Sequence, residues 1–133
     1  MKSSSPEDLE LPSDATAPGI ARRYSAQVLG GWRLSSLIGT VQLVTSELVT
    51  NAVRHGAKPI LFGLRRQDHD VRIEVSDGDP KMGPAAVLDE DSESGRGCLI
   101  VDLMASASGV ETVAGDGKIA WAVVSDDTSR TEG

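Results

Sequence analysis

The sequence predicts an α+β fold, a two-layer sandwich in which helices cover one face of a mostly antiparallel sheet. Helical periodicity dominates the first half of the chain, whereas alternating strand patterns dominate the second half and are interrupted by one short helix. Runs of helices followed by runs of strands are typical of segregated layers and not of alternating βαβ units, so an antiparallel sheet is expected.

The length of the chain fits one domain. Its 133 residues match the usual size of a single domain, and residues 8–124 hold nearly all of the patterned sequence. The polar segments 1–7 and 125–133 have little to bury, so we expect them to be mobile tails.

The first elements are a short strand and a helix. Asp8-Leu9-Glu10-Leu11 alternates polar and apolar residues, which predicts an edge strand. Ser13 or Asp14 is expected to cap a helix that begins near Pro18, and its apolar positions continue to about Gly30-Gly31.

The clearest element is a helix over 35–56. Apolar residues recur there at steps of three and four, which places them on one face, and Gly56 is a natural stop. The residues of this apolar face are Leu37, Val41, Val44, Leu48 and Ala52.

Shorter patterns fill the rest of the chain. In order, they predict strands at 59–66 and 70–77, a connection rich in Gly, Pro and acids at 78–96, a short buried helix at 97–105, and a hairpin of strands 110–114 and 118–124 around Gly115-Asp116-Gly117. The connection is long for so small a domain, which favours a functional loop.

Composition excludes several classes of protein. A single Cys allows neither a disulfide framework nor a cysteine-based zinc site, and His55 and His69 lack the spacing of a metal pair. The longest apolar run, 119–124, is far shorter than the ~18 residues that span a bilayer, and the N-terminus has no apolar signal region. We therefore expect a soluble cytoplasmic protein that does not bind membranes. The pI of about 4.7 argues against nucleic acid as a direct partner.

The charge is unevenly distributed along the chain. The formal net charge of −7 divides into −3 for residues 1–18, +6 for residues 19–67 and −10 for residues 68–133. Two interpretations stay open: ordinary solvated charge, or a basic face that meets an anion or an acidic partner. In both, Glu47 stands out as the only carboxylate of the basic segment.

Candidate chemistry begins on the long helix. Glu47, Asn51 and His55 are four residues apart and line one strip. Glu47 precedes the core residue Leu48 and is therefore expected at the margin of the apolar face. An amide oxygen such as that of Asn51 suits Mg²⁺ when phosphates provide the other ligands, and the carboxylate one turn earlier can accept a proton from a hydroxyl. Ordinary helix surface residues are the alternative.

Two further candidates follow strands or precede a helix. Asp77-Gly78 ends a strand, so the carboxylate can point into a cleft and accept a hydrogen bond from an exocyclic amine; a plain turn is the alternative. Gly95-Arg96-Gly97 precedes a helix, where exposed backbone N–H groups and an arginine favour phosphate; a simple loop-to-helix turn is the alternative.

Taken in this fixed order, the three motifs resemble the GHKL ATPase superfamily, which includes gyrase, heat-shock chaperone ATPases and histidine kinases. Within the superfamily, the chain looks like the branch of anti-sigma-factor serine/threonine kinases and their small actinobacterial relatives. The segments that carry it are Leu43-Val44-Thr45-Ser46-Glu47-Leu48-Val49-Thr50-Asn51-Ala52-Val53-Arg54-His55-Gly56, Gly95-Arg96-Gly97 and Gly117-Lys118-Ile119-Ala120-Trp121-Ala122.

The resemblance implies the histidine-kinase-like ATPase fold, ATP and Mg²⁺ as cofactors, and a role for each motif. Glu47 would be the catalytic residue that orients or deprotonates the acceptor. Asn51 would hold Mg²⁺ against the phosphates, which Arg54 would face. Asp77 would bind the adenine amino group, with Gly78 allowing close approach. The phosphates would be bordered by Gly95, Arg96 and Gly97, with residues 79–94 as a lid.

The resemblance further implies a regulatory switch in transcription and stress response. Such a protein sequesters a sigma factor and phosphorylates a Ser or Thr of an anti-anti-sigma (STAS-type) antagonist. Relatives in this branch are often homodimers, which leaves a homodimer open here. Where many relatives have a Trp-Gly pair this chain has Ser108-Gly109, and where many have Thr near the base it has Ile119. These departures motivate one alternative, an ATP-binding partner switch without phosphotransfer. A slow ATP hydrolase or a degenerate structural domain is a further alternative.

Overall fold

A computed structural model describes residues 8–79, 100–113 and 117–125 of the chain. The predicted tails, 1–7 and nearly all of 125–133, lie outside them. In chain order, the elements are β1 (Leu9–Leu11), α1 (Ala17–Gly31), a 3-10 turn (Ser35–Leu37), α2 (Ile38–His55), β2 (Ile60–Gln67), β3 (Asp70–Asp77), a short helix at 100–104, β4 (Ala107–Val113) and β5 (Gly117–Ser125).

The five strands form one sheet in the order β1-β2-β3-β5-β4, and every neighbouring pair is antiparallel. The α+β prediction is confirmed, and so are the edge strand β1, the β2–β3 pair and the β4–β5 pair. The bounds of β3 are as predicted, and those of the other strands differ from the prediction by one to three residues at one or both ends. The register of β3 and β5 matters most for the site, because it sets Asp77 directly opposite Lys118.

Alternation along β3 separates the two faces of the sheet. Val71, Ile73 and Val75 are buried, whereas the residues between them are partly exposed. The buried side faces α1 and α2, which pack along each other, with α2 lying on β3 and β5. Both helices therefore cover one face and leave the other face of the sheet without a helical layer among the described residues.

The apolar stripe of α2 is confirmed as part of this core. All five residues predicted for it are at most 8% exposed. The helix ends at His55, and Gly56 provides the C-cap, whose N–H donates to the carbonyl of Ala52 at 2.9 Å. Phe62 of β2 is fully buried beneath α1, where Tyr24 meets it edge-on with ring centroids 5.9 Å apart.

The start of α1 differs from the prediction. The N-cap is Thr16 and not Ser13 or Asp14, and Pro18 lies in the first turn. Asp14 acts one step earlier: its Oδ1 accepts hydrogen bonds from the backbone N–H (2.8 Å) and the hydroxyl of Thr16. These hydrogen bonds lower the pKa of Asp14 below its ordinary value.

The prediction that the helix at 97–105 is buried is wrong. Among its described residues Val101 is buried, but Leu103 is 71% and Met104 42% exposed. An apolar run of this length does not show by itself which of its residues face the core.

One base of the basic segment, Arg65, lies among acids in the folded chain. Arg65 of β2 lies on the uncovered face of the sheet and pairs with Glu74 (Nε to Oε1, 3.0 Å) and with Asp8 (3.7 Å). On the same face Glu74 also pairs with Arg72 at 2.8 Å, and the Arg72 guanidinium lies 4.4 Å from the ring centroid of Trp121. Folding thus brings acids from both acidic segments next to a base of the basic segment. Such partly exposed pairs contribute about 0–1 kcal/mol each.

Within the described residues, no helix has both the length and the apolar character required to cross a bilayer.

We predict that Phe62→Ala lowers the free energy of unfolding by about 3–5 kcal/mol, because it removes a fully buried ring and leaves a cavity. Urea denaturation followed by circular dichroism measures the change. Leu103→Ala, at an exposed position, is the control and is expected to change stability by less than about 0.5 kcal/mol. Equal effects of the two substitutions would contradict this packing.

Candidate nucleotide site

The buried carboxylate of Asp77 is the centre of the candidate site. The side chain lies at the end of β3 and is only 4% exposed. Its Oδ1 accepts a hydrogen bond from the backbone N–H of Asp79 at 2.8 Å and lies 3.2 Å from the Nζ of Lys118. Because buried carboxylates are costly unless they are paired and hydrogen-bonded, these two donors allow Asp77 to occupy this position.

Three glycines surround Asp77 closely. A Cβ on Gly56 would lie 2.5 Å from the Oδ2 of Asp77, and a Cβ on Gly78 would lie 2.5 Å from the carbonyl oxygen of Lys58. Gly117 has φ +120°, and a Cβ there would collide with the backbone carbonyl of Asp77. The end of α2, the end of β3 and the start of β5 therefore meet at distances that leave no room for side chains.

Backbone hydrogen bonding fixes the same junction. The N–H of Gly78 donates to the carbonyl of Ala57 at 2.7 Å, which ties the end of β3 to the connection between α2 and β2. Gly56 begins that connection, so the position of Asp77 relative to the C-terminal end of α2 is set by main-chain contacts.

Glu47 and Asn51 lie on α2 as predicted, on a common strip that is neither fully buried nor fully exposed. At 1.5 Å per residue they are about 6 Å apart along the helix axis, and Glu47 is roughly 13 Å from Gly56. Arg54 is exposed in the last turn of the helix. An elongated ligand with one end at Asp77 would therefore have these side chains available along its length.

Part of the predicted site lies outside the described residues. This holds for Gly95, Arg96 and Gly97 and for residues 80–94 of the predicted lid. Their proposed contacts with phosphate stay predictions.

Lys118 was not among the site residues predicted from the sequence, which placed position 119 near the base instead. Strand register decides the matter: Lys118 is opposite Asp77, whereas Ile119 is opposite Ser76 and points to the uncovered face of the sheet. The absence of a Thr at Ile119 therefore has no bearing on the contacts of Asp77. The signal that could have revealed Lys118 is its place one residue after Gly117, at the start of the strand that pairs with β3.

The family comparison agrees with this geometry. A model of the histidine kinase-like ATPase domain matches residues 11–123. The chain belongs to this family. The match covers every helix and strand described above except most of β1 and the last two residues of β5, so the candidate site lies within one family domain.

A solved structure shows the same fold. The histidine kinase domain of the blue-light activated histidine kinase from Erythrobacter litoralis EL346 superposes with a TM-score of 0.57 at 14% sequence identity, over 90% of this chain and 67% of that one. At this identity the likeness concerns the fold alone. No curated protein matches the sequence significantly.

The residues present fit ATP with Mg²⁺, which domains of this family generally bind. Asp77 provides a hydrogen-bond acceptor at the junction of α2, β3 and β5. Asn51 provides an amide oxygen of the type that Mg²⁺ accepts. Among the described residues, no three His, Cys, Asp or Glu side chains cluster closely enough to hold a metal ion. A Mg²⁺ ion at Asn51 would then take most of its ligands from phosphates and water.

Gly78→Ala is predicted to destabilise the protein by about 1–3 kcal/mol, because the added methyl group meets the carbonyl oxygen of Lys58 and that backbone must move. Thermal and urea unfolding measure the loss. Gly39→Ala is the matched control: it lies in α2 with nothing within 4 Å of its Cβ position, so about 0.5–1 kcal/mol of stabilisation is expected. A neutral Gly78→Ala would contradict the close approach described here.

Proposed function

We propose that the protein is an ATP-binding regulatory switch, an anti-sigma factor that holds a sigma factor and phosphorylates a Ser or Thr of an anti-anti-sigma antagonist. The observation that carries the proposal is the junction at Asp77, where the C-terminal end of α2 is held against the enclosed carboxylate. The same helix bears Asn51 one turn before its end and Glu47 in its middle. Asp77, near the end of α2, offers a hydrogen-bond acceptor to the base of a nucleotide. The carboxylate of Glu47, about 13 Å along the helix, suits the hydroxyl group that receives the phosphate.

Each side chain has a separate task in this proposal. Asp77 accepts a hydrogen bond from the exocyclic amine of adenine, and Gly78 permits the base to approach the backbone. Asn51 would ligate Mg²⁺ through its amide oxygen, and Arg54 would face the phosphates. Glu47 orients the Ser or Thr hydroxyl of the antagonist and takes its proton. ATP with Mg²⁺ supplies the phosphoryl group. Gly95, Arg96 and Gly97 are proposed to border the phosphates.

Regulation would follow from the charge that phosphorylation adds. A phosphate on the binding surface of the antagonist places about two negative charges there. These charges repel acidic surfaces, and removing water from them costs free energy. The acidic net charge of this chain, −7, makes repulsion by a phosphorylated partner effective. The antagonist would then release this protein, which would be able to hold the sigma factor. These partners are proteins of the cytoplasm, and the proposal includes that location.

A switch without phosphotransfer is the second candidate. Ser108 is exposed on the edge strand β4, in place of the aromatic residue of many relatives of the anti-sigma type. This candidate uses Asp77 and Asn51 for ATP in the same way but gives Glu47 no chemical task. Slow hydrolysis of ATP without a protein acceptor is its variant.

Glu47→Gln separates these functions. With radiolabelled ATP, Mg²⁺ and the STAS-type proteins encoded in the same genome, native protein is expected to label one antagonist on Ser or Thr. Glu47→Gln is expected to lower the labelling rate about 10²–10⁴-fold, because it removes the proton acceptor, and to keep ATP affinity within a few-fold.

Glu10→Gln, an exposed carboxylate on β1, is the control for that change and should label normally. Labelling by Glu47→Gln at the native rate would contradict the assigned role of Glu47. Tight ATP binding without any labelled antagonist would favour the switch without phosphotransfer, and release of phosphate from ATP with no protein labelled would favour the hydrolase.

Asn51→Ala is predicted to weaken ATP binding about tenfold or more in the presence of Mg²⁺ and much less in excess chelator, because the lost amide oxygen acts through the metal. Isothermal titration under the two conditions measures the difference. Gln42→Ala, on the same helix, is the control and keeps the Mg²⁺ dependence of native protein. An equal loss of affinity with and without Mg²⁺ would contradict the assignment.

A further inference from the structure

The ion pair between Lys118 and Asp77 adds a donor to the carboxylate that the proposed function assigns to adenine. Its two side chains are 13% and 4% exposed, so both charged groups are largely withdrawn from water. They come from adjacent strands at directly opposed positions, on the face of the sheet that bears the helices. Their separation of 3.2 Å makes them one hydrogen-bonded unit with an acceptor side and a donor side.

Neither group is saturated by this contact. The lysine ammonium has three N–H donors, of which Asp77 takes one. A carboxylate accepts about four hydrogen bonds, and Oδ1 receives two, from Asp79 and Lys118. Counting the hydrogen bonds to the described residues, the pair therefore retains a donor and an acceptor for a third group that offers the complementary pattern.

Adenine offers that pattern on adjacent positions of one edge. Its exocyclic N6 amine is a donor and the neighbouring ring atom N1 is an acceptor. If Asp77 accepts from N6, as the proposed function holds, a donor beside Asp77 meets N1. A 6-oxo purine such as hypoxanthine presents the reverse, an oxygen at position 6 and an N–H at N1, and would set acceptor against acceptor and donor against donor.

We infer that Lys118 is a specificity-determining residue of the site, which donates a hydrogen bond to N1 of adenine while Asp77 accepts one from N6. This inference rests on the proposed nucleotide site. It goes further in assigning the N1 contact to a charged side chain of this chain, and it predicts selection of 6-amino over 6-oxo purine nucleotides.

The test removes single atoms from the nucleotide, so the protein stays intact. Native protein is titrated calorimetrically with ATP, 1-deaza-ATP and 7-deaza-ATP in the presence of Mg²⁺. We expect 1-deaza-ATP to bind about 10–100-fold more weakly than ATP, because a nearly buried ammonium loses its acceptor. The analogue 7-deaza-ATP, which lacks an atom that Lys118 does not contact, should bind within about threefold of ATP.

A variant protein assigns the loss to Lys118. In Lys118→Met the penalty for 1-deaza-ATP should fall to within about threefold, since the group that N1 met is gone. Arg23→Met, which removes one positive charge from an exposed site on α1, should retain the full penalty. A full penalty in Lys118→Met, or none in native protein, would overturn the inference.

A second variant covers the case in which Lys118→Met does not fold, because it leaves Asp77 buried without its counter-ion. In Lys118→Gln a neutral amide replaces the ammonium and can both donate and accept. The preference of native protein for ATP over ITP should therefore fall at least about tenfold; an unchanged preference would overturn the inference. Failure of native protein to bind any of these nucleotides would instead contradict the proposed function itself.

Discussion

The structure depends most on one constraint, the need to provide partners for the carboxylate of Asp77, which is buried at the point where α2, β3 and β5 meet. A buried charge without partners would favour unfolding, so the surrounding chain must supply donors and must come very close. Lys118 and the N–H of Asp79 supply the donors. Gly56, Gly78 and Gly117 permit the approach, because none has a side chain to hold the elements apart. A buried ion pair of this type contributes little net stability, but breaking it by removing one partner costs about 3–5 kcal/mol.

The two faces of the sheet show why such a charge stands out. On the uncovered face, charged residues pair in partial contact with water, and those pairs serve solubility and strand alignment more than stability. On the face toward the helices, almost every side chain is apolar, and Phe62 and the stripe of α2 provide the cohesion. Asp77 is the one carboxylate among the residues described as buried, which is the usual circumstance of a group kept for binding and not for folding.

Much of the fold could be predicted from the sequence because it depends on periodicity. The stripe of α2 and the alternation in β3 each indicate a buried face, and their order along the chain favours two layers. The positions of Glu47, Asn51 and Asp77 could be predicted for the same reason. Lys118 could not, since a shift of one residue in the pairing of β3 with β5 exchanges it with Ile119. These two strands are far apart along the chain, so no short turn between them fixes their register. The pairing of Arg65 with Asp8 was equally out of reach, because it joins segments distant along the chain.

The most direct test of the account is a titration of ¹⁵N-labelled protein with ATP and Mg²⁺, followed by amide chemical shifts. We expect the largest chemical-shift changes at the amides of Gly56, Gly78 and Gly117, which surround Asp77, and at the α2 amides from Glu47 to His55. The indole N–H of Trp121, on the uncovered face beside Arg72, should change little. Changes centred on Trp121, or a spectrum that ATP leaves unaltered, would contradict the claim that this junction is a nucleotide site.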